Sequence, residues 1–162
     1  MRWLASAKLN LFEAMVNACE RAAAPGSEEA AHIATGRRGE RAAYFYLRRR
    51  GFVVVGRAWR SGIVRGDLDL IAWEGDTLCF VEVKTRTTRA VATAEASVDE
   101  DKRKNLRRLA RHYLRQLPSA DVPVRFDILS VYFEETRFEE AMFEEARPAE
   151  FDLFRAAFGW VE

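Results

Sequence analysis

The sequence predicts an α/β protein in which helices cover both faces of one central sheet, in the order helix, strand, strand, strand, helix, strand. Four segments are rich in β-branched, aromatic and aliphatic residues, as strands are: residues 52–55, 68–73, 77–84 and 124–133. Apolar residues recur at helical spacing in residues 36–50 and 97–117. The strands are apolar on both faces, and a sheet of that kind needs cover on both sides.

Composition restricts the class of protein. With 162 residues and 49% hydrophobic content, the chain suits one globular domain with appended elements. No apolar run is long enough to span a bilayer, and Lys8, Asn10 and Glu13 interrupt the N-terminal stretch where a signal peptide is apolar. Cys19 and Cys79 offer no disulfide framework, and the alternation around Cys79 predicts a buried thiol. We therefore expect a soluble, cytoplasmic protein.

Charge and pattern divide the chain into three parts. Residues 1–35 read as an accessory helix and a linker, residues 36–133 as the main domain, and residues 134–162 as an acidic, aromatic extension. Residues 36–125 hold 20 Lys and Arg against 11 Asp and Glu, whereas residues 126–162 hold 3 against 10. The net charge of +1 thus conceals a basic module followed by an acidic one.

The first helix of the main domain places an acid near its start. This helix is predicted over residues 36–50, or from slightly earlier, and ends at Gly51 because glycine is a preferred C-terminal residue. Glu40 lies three and seven residues before Ala43 and Leu47, so its carboxylate projects from the first turn on the side of the apolar stripe. Glu40 then points inward or toward a cleft; the alternative is a simple partner of the helix dipole.

Residues 66–86 contain two apolar strands joined by the turn residues Gly75 and Asp76. Glycine at the first central position favours a two-residue primed turn. In the resulting register Asp69 lies directly opposite Glu82. A three-residue loop would place the two acids on opposite faces, so the prediction depends on this turn.

The two carboxylates share their face with Lys84, whereas the side chain of Val83 turns away. Like charges directly opposite on a sheet cost roughly 0.2 to 1 kcal/mol, so a divalent cation is the natural compensation. Mg²⁺ prefers oxygen ligands: Asp69 and Glu82 provide two, the carbonyl of Val83 offers a third, and water completes the shell. Lys84 would reach a scissile phosphate or the attacking water, which is the chemistry of phosphodiester hydrolysis.

The second long helix places a lysine at its start. Ser97 and Glu100 match a capping box, with Ser97 as the N-cap residue. Lys102 lies four residues before Leu106, on the core-facing side of the first turn, and is expected to reach the same site as Glu40.

The C-terminal third contains the last predicted strand and the acidic extension. Near the start of the strand, Asp127 is expected to form a salt bridge with Arg125 rather than to take part in chemistry. The extension, residues 134–162, either caps the core, which its aromatic residues favour, or lies over the basic module as a mimic of DNA.

Three segments together resemble the signatures of the YraN-type family, a largely uncharacterised bacterial group: Gly36-x-x-Gly39-Glu40, Gly66-Asp67-Leu68-Asp69-Leu70-Ile71 and Phe80-Val81-Glu82-Val83-Lys84-Thr85-Arg86. The resemblance covers roughly residues 36–133. That family is similar to archaeal Holliday junction resolvases and to the PD-(D/E)xK restriction-endonuclease superfamily. The resemblance therefore implies a restriction-endonuclease-like core with a mixed sheet. Asp67 stands where the family usually has glutamate, and in the predicted register it faces Lys84.

The resemblance also implies roles for the residues at matching positions. It makes the protein an endonuclease that uses Mg²⁺ or Mn²⁺ and no small-molecule cofactor, with Asp69, Glu82 and Val83 as metal ligands. The implied catalytic residues are Glu40, Asp69, Glu82, Lys84 and Lys102.

The implied partner is DNA, with a homodimer as a further possibility and no membrane. Contacts to phosphate carry no sequence information, so structured or branched DNA is the expected substrate. The basic residues expected to make those contacts are Arg37, Arg38, Arg60, Arg65, Arg86, Lys104 and Arg108. Two alternatives stay open: a nucleic-acid-binding module of a DNA repair or uptake complex with little or no catalysis, and a purely structural protein.

Overall fold

The structure, a computed structural model, describes residue 13 and residues 28–86, 98–118, 121–133 and 149–160. The predicted N-terminal helix, apart from Glu13, and most of the acidic extension lie outside the described residues. The helices and strands are α1 (Glu28–Arg49), β1 (Val53–Trp59), β2 (Leu68–Glu74), β3 (Thr77–Arg86), α2 (Glu100–Leu114), β4 (Val124–Tyr132) and β5 (Glu150–Phe158).

The five strands form one mixed sheet in the order β1-β2-β3-β4-β5. Strands β3 and β4 run parallel, and the other neighbouring pairs run antiparallel. The mixed α/β sheet is confirmed, and it is consistent with a restriction-endonuclease-like core. The sheet also has one strand more than predicted, because β5 lies in the segment that we assigned to the C-terminal extension. Apolar residues of that segment are thus half-buried in a strand beside β4.

Each helix covers one face of the sheet, as predicted. Helix α1 packs against Leu70, Ala72, Cys79 and Val81, and α2 packs against the opposite face. Leu68 departs from the predicted alternation because it packs in the α2 core and not beside Leu70. It begins β2 directly after a loop and pairs with Trp59, which also packs against the α2 core.

The central hairpin has the predicted two-residue turn. Gly75 has a φ of 59°, in the left-handed region that a primed turn requires. Glu74 pairs with Thr77, and the register continues without a shift to Leu70 and Val81. The next positions along the two strands are Asp69 and Glu82.

Three element ends differ clearly from the prediction. Helix α1 begins at Glu28, inside the segment assigned to the linker and not at about residue 36. Strand β1 does not end at Gly56 but continues to Trp59, because Gly56 takes up a register shift against β2. A β-carbon on Gly56 would lie 3.0 Å from Cδ1 of Ile71, so any larger residue here would require the side chain of Ile71 to shift. The N-cap residue of α2 is Asp99, not Ser97: its Oδ1 accepts a hydrogen bond from Lys102 N at 2.8 Å.

Candidate active site

A buried glutamate occupies the centre of the candidate site. The side chain of Glu82 is 4% exposed, and its Oε1 lies 3.0 Å from Nζ of Lys84 and 3.2 Å from Nζ of Lys102. Its Oε2 is buried and accepts no hydrogen bond from the described residues. One carboxylate oxygen of Glu82 thus contacts two ammonium groups, and the other oxygen is available to coordinate a cation.

Asp69 lies beside Glu82 at the start of β2. Its Oδ2 accepts a hydrogen bond from the backbone N–H of Val83 at 2.7 Å, which ties the carboxylate to β3. Burial, reinforced by the negative charge of Glu82, raises the pKa of Asp69 to about 7. Because the N–H and C=O of one strand residue point to the same side, the carbonyl of Val83 also faces this edge.

Glu40 reaches the site from α1. Burial, and then the charge of Asp67, raises the pKa of Glu40, and Glu40 in turn contributes to the raised pKa of Asp69. Helix α1 approaches β3 closely at this level, because a β-carbon on Gly39 would lie 1.8 Å from Oγ1 of Thr85. The close approach explains how a helix residue joins a site built on strands.

Lys102 reaches the site from the first turn of α2, as predicted. Burial lowers the pKa of Lys102, but the carboxylates of Glu82 and Asp69 outweigh this effect and raise it overall. Lys102 therefore carries a positive charge here. Lys102 thus places a second ammonium group beside Glu82. It comes from α2, whereas Glu40 comes from α1.

Asp67, which faces Lys84 in the predicted register, forms its ion pair with a different residue. The ion pair of Lys84 is with Glu82, and Asp67 pairs with Arg60 at 3.5 Å. Lys84 and Glu82 lie two residues apart on β3, so their side chains share a face of the strand and meet there. Asp67 still acts on the site through its charge, which influences both Glu40 and Lys102.

The donor set fits a hard divalent cation such as Mg²⁺ or Mn²⁺. The two adjacent carboxylates, of Asp69 and Glu82, include a buried oxygen without a hydrogen bond, and a cation would satisfy it. Within the described ranges, no three His, Cys, Asp or Glu side chains converge as a metal site. The carbonyl of Val83 and water would therefore have to complete the shell.

The residues predicted to contact nucleic acid are distributed over α1, the loop between β1 and β2, the end of β3, and α2. Arg37, Arg65, Lys104 and Arg108 are exposed. Arg38 lies over the ring of Phe133, 4.0 Å from its centroid, and Arg86 is half-buried at the end of β3.

Two contacts beside the candidate site have no signal in the sequence. Gly39 was part of a recognised motif, but its contact with Thr85 joins residues 46 positions apart and has no local signal. The ion pair of Arg60 with Asp67 likewise depends on how the β1–β2 loop folds back.

The fold and the site define an α/β protein with a cluster of carboxylates and lysines beside the central strand β3. The chain belongs to the uncharacterised protein family UPF0102, the YraN-type family, whose sequence model matches residues 39–131. The prediction of the family is confirmed.

The chain is similar to UPF0102 proteins of several bacteria. It is 53% identical to one of Koribacter versatilis (strain Ellin345) over 115 residues, which cover 71% of this chain and 80% of that protein. It is 44% identical to one of Solibacter usitatus (strain Ellin6076) over 99 residues, or 61% and 75% of the two chains. It is 40% identical to one of Bacteroides thetaiotaomicron over 117 residues, or 72% and 94%. These names state no activity.

None of the helices in the described part of the chain combines the length and apolar character needed to cross a membrane.

Proposed function

We propose that this protein is a metal-dependent endonuclease that hydrolyses phosphodiester bonds in DNA, with branched or otherwise structured DNA as the favoured substrate. One observation carries the proposal. The buried carboxylate of Glu82 lies beside Asp69, with one oxygen between two lysine ammonium groups and the other without a hydrogen bond. A buried carboxylate pair flanked by lysines suits a cation and a phosphate together.

Asp69, Glu82 and the carbonyl of Val83 would hold the Mg²⁺ or Mn²⁺ ion. When bound, such an ion activates water and withdraws charge from a phosphate oxygen. The lysines of the candidate site also supply positive charge for the reaction. The ammonium groups of Lys84 and Lys102 attract the scissile phosphate and stabilise the negative charge that grows on its oxygens.

Hydrolysis forms a bond from the water oxygen to phosphorus and breaks one phosphoester bond. The attacking water loses a proton and the leaving oxygen gains one. Glu40, whose pKa is raised by burial, is placed to hold a proton close to the carboxylate pair. Its position on α1 leaves the strand carboxylates free for the cation.

The same geometry also supports a second candidate, a nucleic-acid-binding module that cuts poorly or not at all. Lys84 and Lys102 already compensate the charge of Glu82 without a metal ion. Such a module would keep the exposed basic residues on α1 and α2 and bind DNA in a salt-dependent way, with no response to Mg²⁺ or Mn²⁺.

A cleavage assay on single-stranded, duplex and four-way-junction DNA, with Mg²⁺, Mn²⁺ or EDTA, tests the proposal. We expect Lys84→Ala to lose cutting by about 100-fold or more while it binds DNA within about twofold of the wild type. Arg115→Ala, which replaces an exposed cation at the other end of α2, is the control and should cut normally.

Equal cutting by the wild type and Lys84→Ala would overturn the catalytic assignment. Salt-dependent DNA binding without metal-dependent cutting would instead favour the binding module. No DNA binding at low salt would leave only a structural protein.

A further inference from the structure

The loop between β1 and β2 is held in one shape by a single serine. Ser61 Oγ accepts hydrogen bonds from the backbone N–H groups of Ile63, at 3.1 Å, and Val64, at 2.6 Å. It also donates to the carbonyl of Val64 at 3.2 Å. Val64 packs against the α2 core, and this contact attaches the loop to the domain.

The end of the loop lies against α2 beside the candidate active site. Asn105 Nδ2 donates a hydrogen bond to the carbonyl of Arg65 at 2.9 Å. Asn105 is one helical turn after Lys102, which contacts Glu82. Asp67, the last residue of the loop, acts on both Glu40 and Lys102 through its charge. The loop is thus a rim of the carboxylate–lysine cluster.

The tip of this anchored loop exposes an isoleucine between arginines. Ile63 is 82% exposed, the largest value for a large apolar side chain among the described residues. Arg60 has a side chain that is 76% exposed, and Arg65 is exposed as well. Loop residues, these three among them, line an open cleft of about 520 Å³. The tip of the loop is thus an apolar side chain with cations on both sides at an open cleft, and Ile63 packs in neither core cluster of the described residues.

We propose that this loop seats an unstacked nucleotide of the DNA substrate. Ile63 contacts the face of the base, and Arg60 and Arg65 contact the flanking phosphates. Apolar side chains that enter a base step, with arginines on the backbone, are a known way to hold DNA that is bent or opened. Opening costs least where bases are already unpaired. The loop therefore selects branch points, forks and single strands over continuous duplex.

This inference rests on the proposed function, since it names the feature of DNA that the same site recognises. The test uses the full chain in metal-free buffer at fixed ionic strength. One probe is a four-way junction with 2-aminopurine at the branch point, and the other is a duplex of the same length and composition. Binding to each probe and the rise in 2-aminopurine fluorescence are measured.

We expect Ile63→Ala to weaken junction binding about tenfold and to abolish the fluorescence rise, with duplex binding within about twofold of the wild type. Ile63→Leu should retain both. Arg65→Gln should weaken binding to both probes and reduce the salt dependence. Ile33→Ala, which removes another exposed isoleucine, on α1, is the matched control and should behave as the wild type.

If Ile63→Ala keeps the wild-type preference and fluorescence while the wild type binds and cuts DNA, this inference is wrong and the proposed function stands. If the wild type binds neither probe, both are wrong.

Discussion

A β-carbon placed on Gly39 would lie 1.8 Å from Oγ1 and 2.9 Å from Cβ of Thr85, so only glycine allows α1 to touch β3 at this point. Gly39 directly precedes Glu40, and Thr85 directly follows Lys84. This close approach of α1 to β3 is therefore adjacent to two residues of the candidate site.

Gly39→Ala should destabilise the protein by about 1 to 3 kcal/mol, because the new methyl group forces α1 away from Thr85. Urea unfolding measures the change. Gly36→Ala is a matched control in the same helix, since a β-carbon on Gly36 meets no atom within 4 Å. It should gain about 0.5 to 1 kcal/mol from helix propensity. Equal effects of the two substitutions would show that the contact with Thr85 has no energetic importance.

Glu82→Gln should abolish the response of the protein to divalent cations. Thermal unfolding of the wild type should shift upward with Mg²⁺ or Mn²⁺, because an ion that binds only the folded state stabilises it. Glutamine removes the charge that faces Lys84 and Lys102, so the two cations would then repel an incoming metal ion. Asp76→Asn, which changes an exposed acid in the hairpin turn, should keep the full shift. A shift that survives in Glu82→Gln would place the metal elsewhere.

The raised pKa of Asp69 should make the free energy of unfolding fall as pH rises. Its pKa is about 7 in the folded protein against an ordinary 3.8, so the folded state holds more protons between these values. Its stabilising contribution is complete below pH 3.8 and is lost as pH rises through about 7. In Asp69→Asn this fall should be absent, and in the wild type Mg²⁺ should reduce it, because the cation replaces the proton.

The measurement is the difference between the two stability curves over pH 3 to 8. Glu74 acts in the opposite direction, because the guanidinium groups of Arg155 and Arg125 lower its pKa to about 2. Its contribution is present above pH 4.5 and is lost toward pH 2, in both proteins alike. Parallel curves for the wild type and Asp69→Asn would contradict the assignment.

Asp127 has the structural role predicted for it. Its carboxylate is fully buried and accepts hydrogen bonds from Arg125 Nε at 2.7 Å and from Ala156 N at 2.9 Å. Asp127→Ala should cost about 1 to 3 kcal/mol, because the backbone N–H of Ala156 and Nε of Arg125 lose their acceptor, although Glu74 still pairs with Arg125. Urea unfolding gives the total, and hydrogen exchange should show the amides of β5 opening first. Asp121→Ala, an exposed acid just before β4, should change stability by less than about 0.5 kcal/mol.

The hydrogen bond from Ala156 to Asp127 joins β5 to β4, and this affects how the acidic extension can be truncated. Strand β5 is part of the sheet, so deletion of residues 134–162 would remove an edge strand together with the acidic residues. A test of the extension as a DNA mimic should therefore remove only residues 134–148 and keep β5.

Local rules were sufficient for the central hairpin and for the end of α1. The turn at Gly75 sets the register, which runs without a shift to Leu70 and Val81 and so brings Asp69 next to Glu82. Glu82 and Lys84 share a face of β3 because they lie two residues apart. Gly51, with a φ of 90°, ends the helix as its position predicted.

The sequence by itself determined the carboxylate pair and its lysine, because residues close in the chain on paired strands have few ways to meet. Only the tertiary structure decided that Lys84 pairs with Glu82 while Asp67 pairs with Arg60, and that β5 completes the sheet. Those outcomes depend on contacts such as the one between Gly39 and Thr85, in which distant segments approach within van der Waals distance. Such contacts follow from how the whole core packs, and no local pattern encodes them.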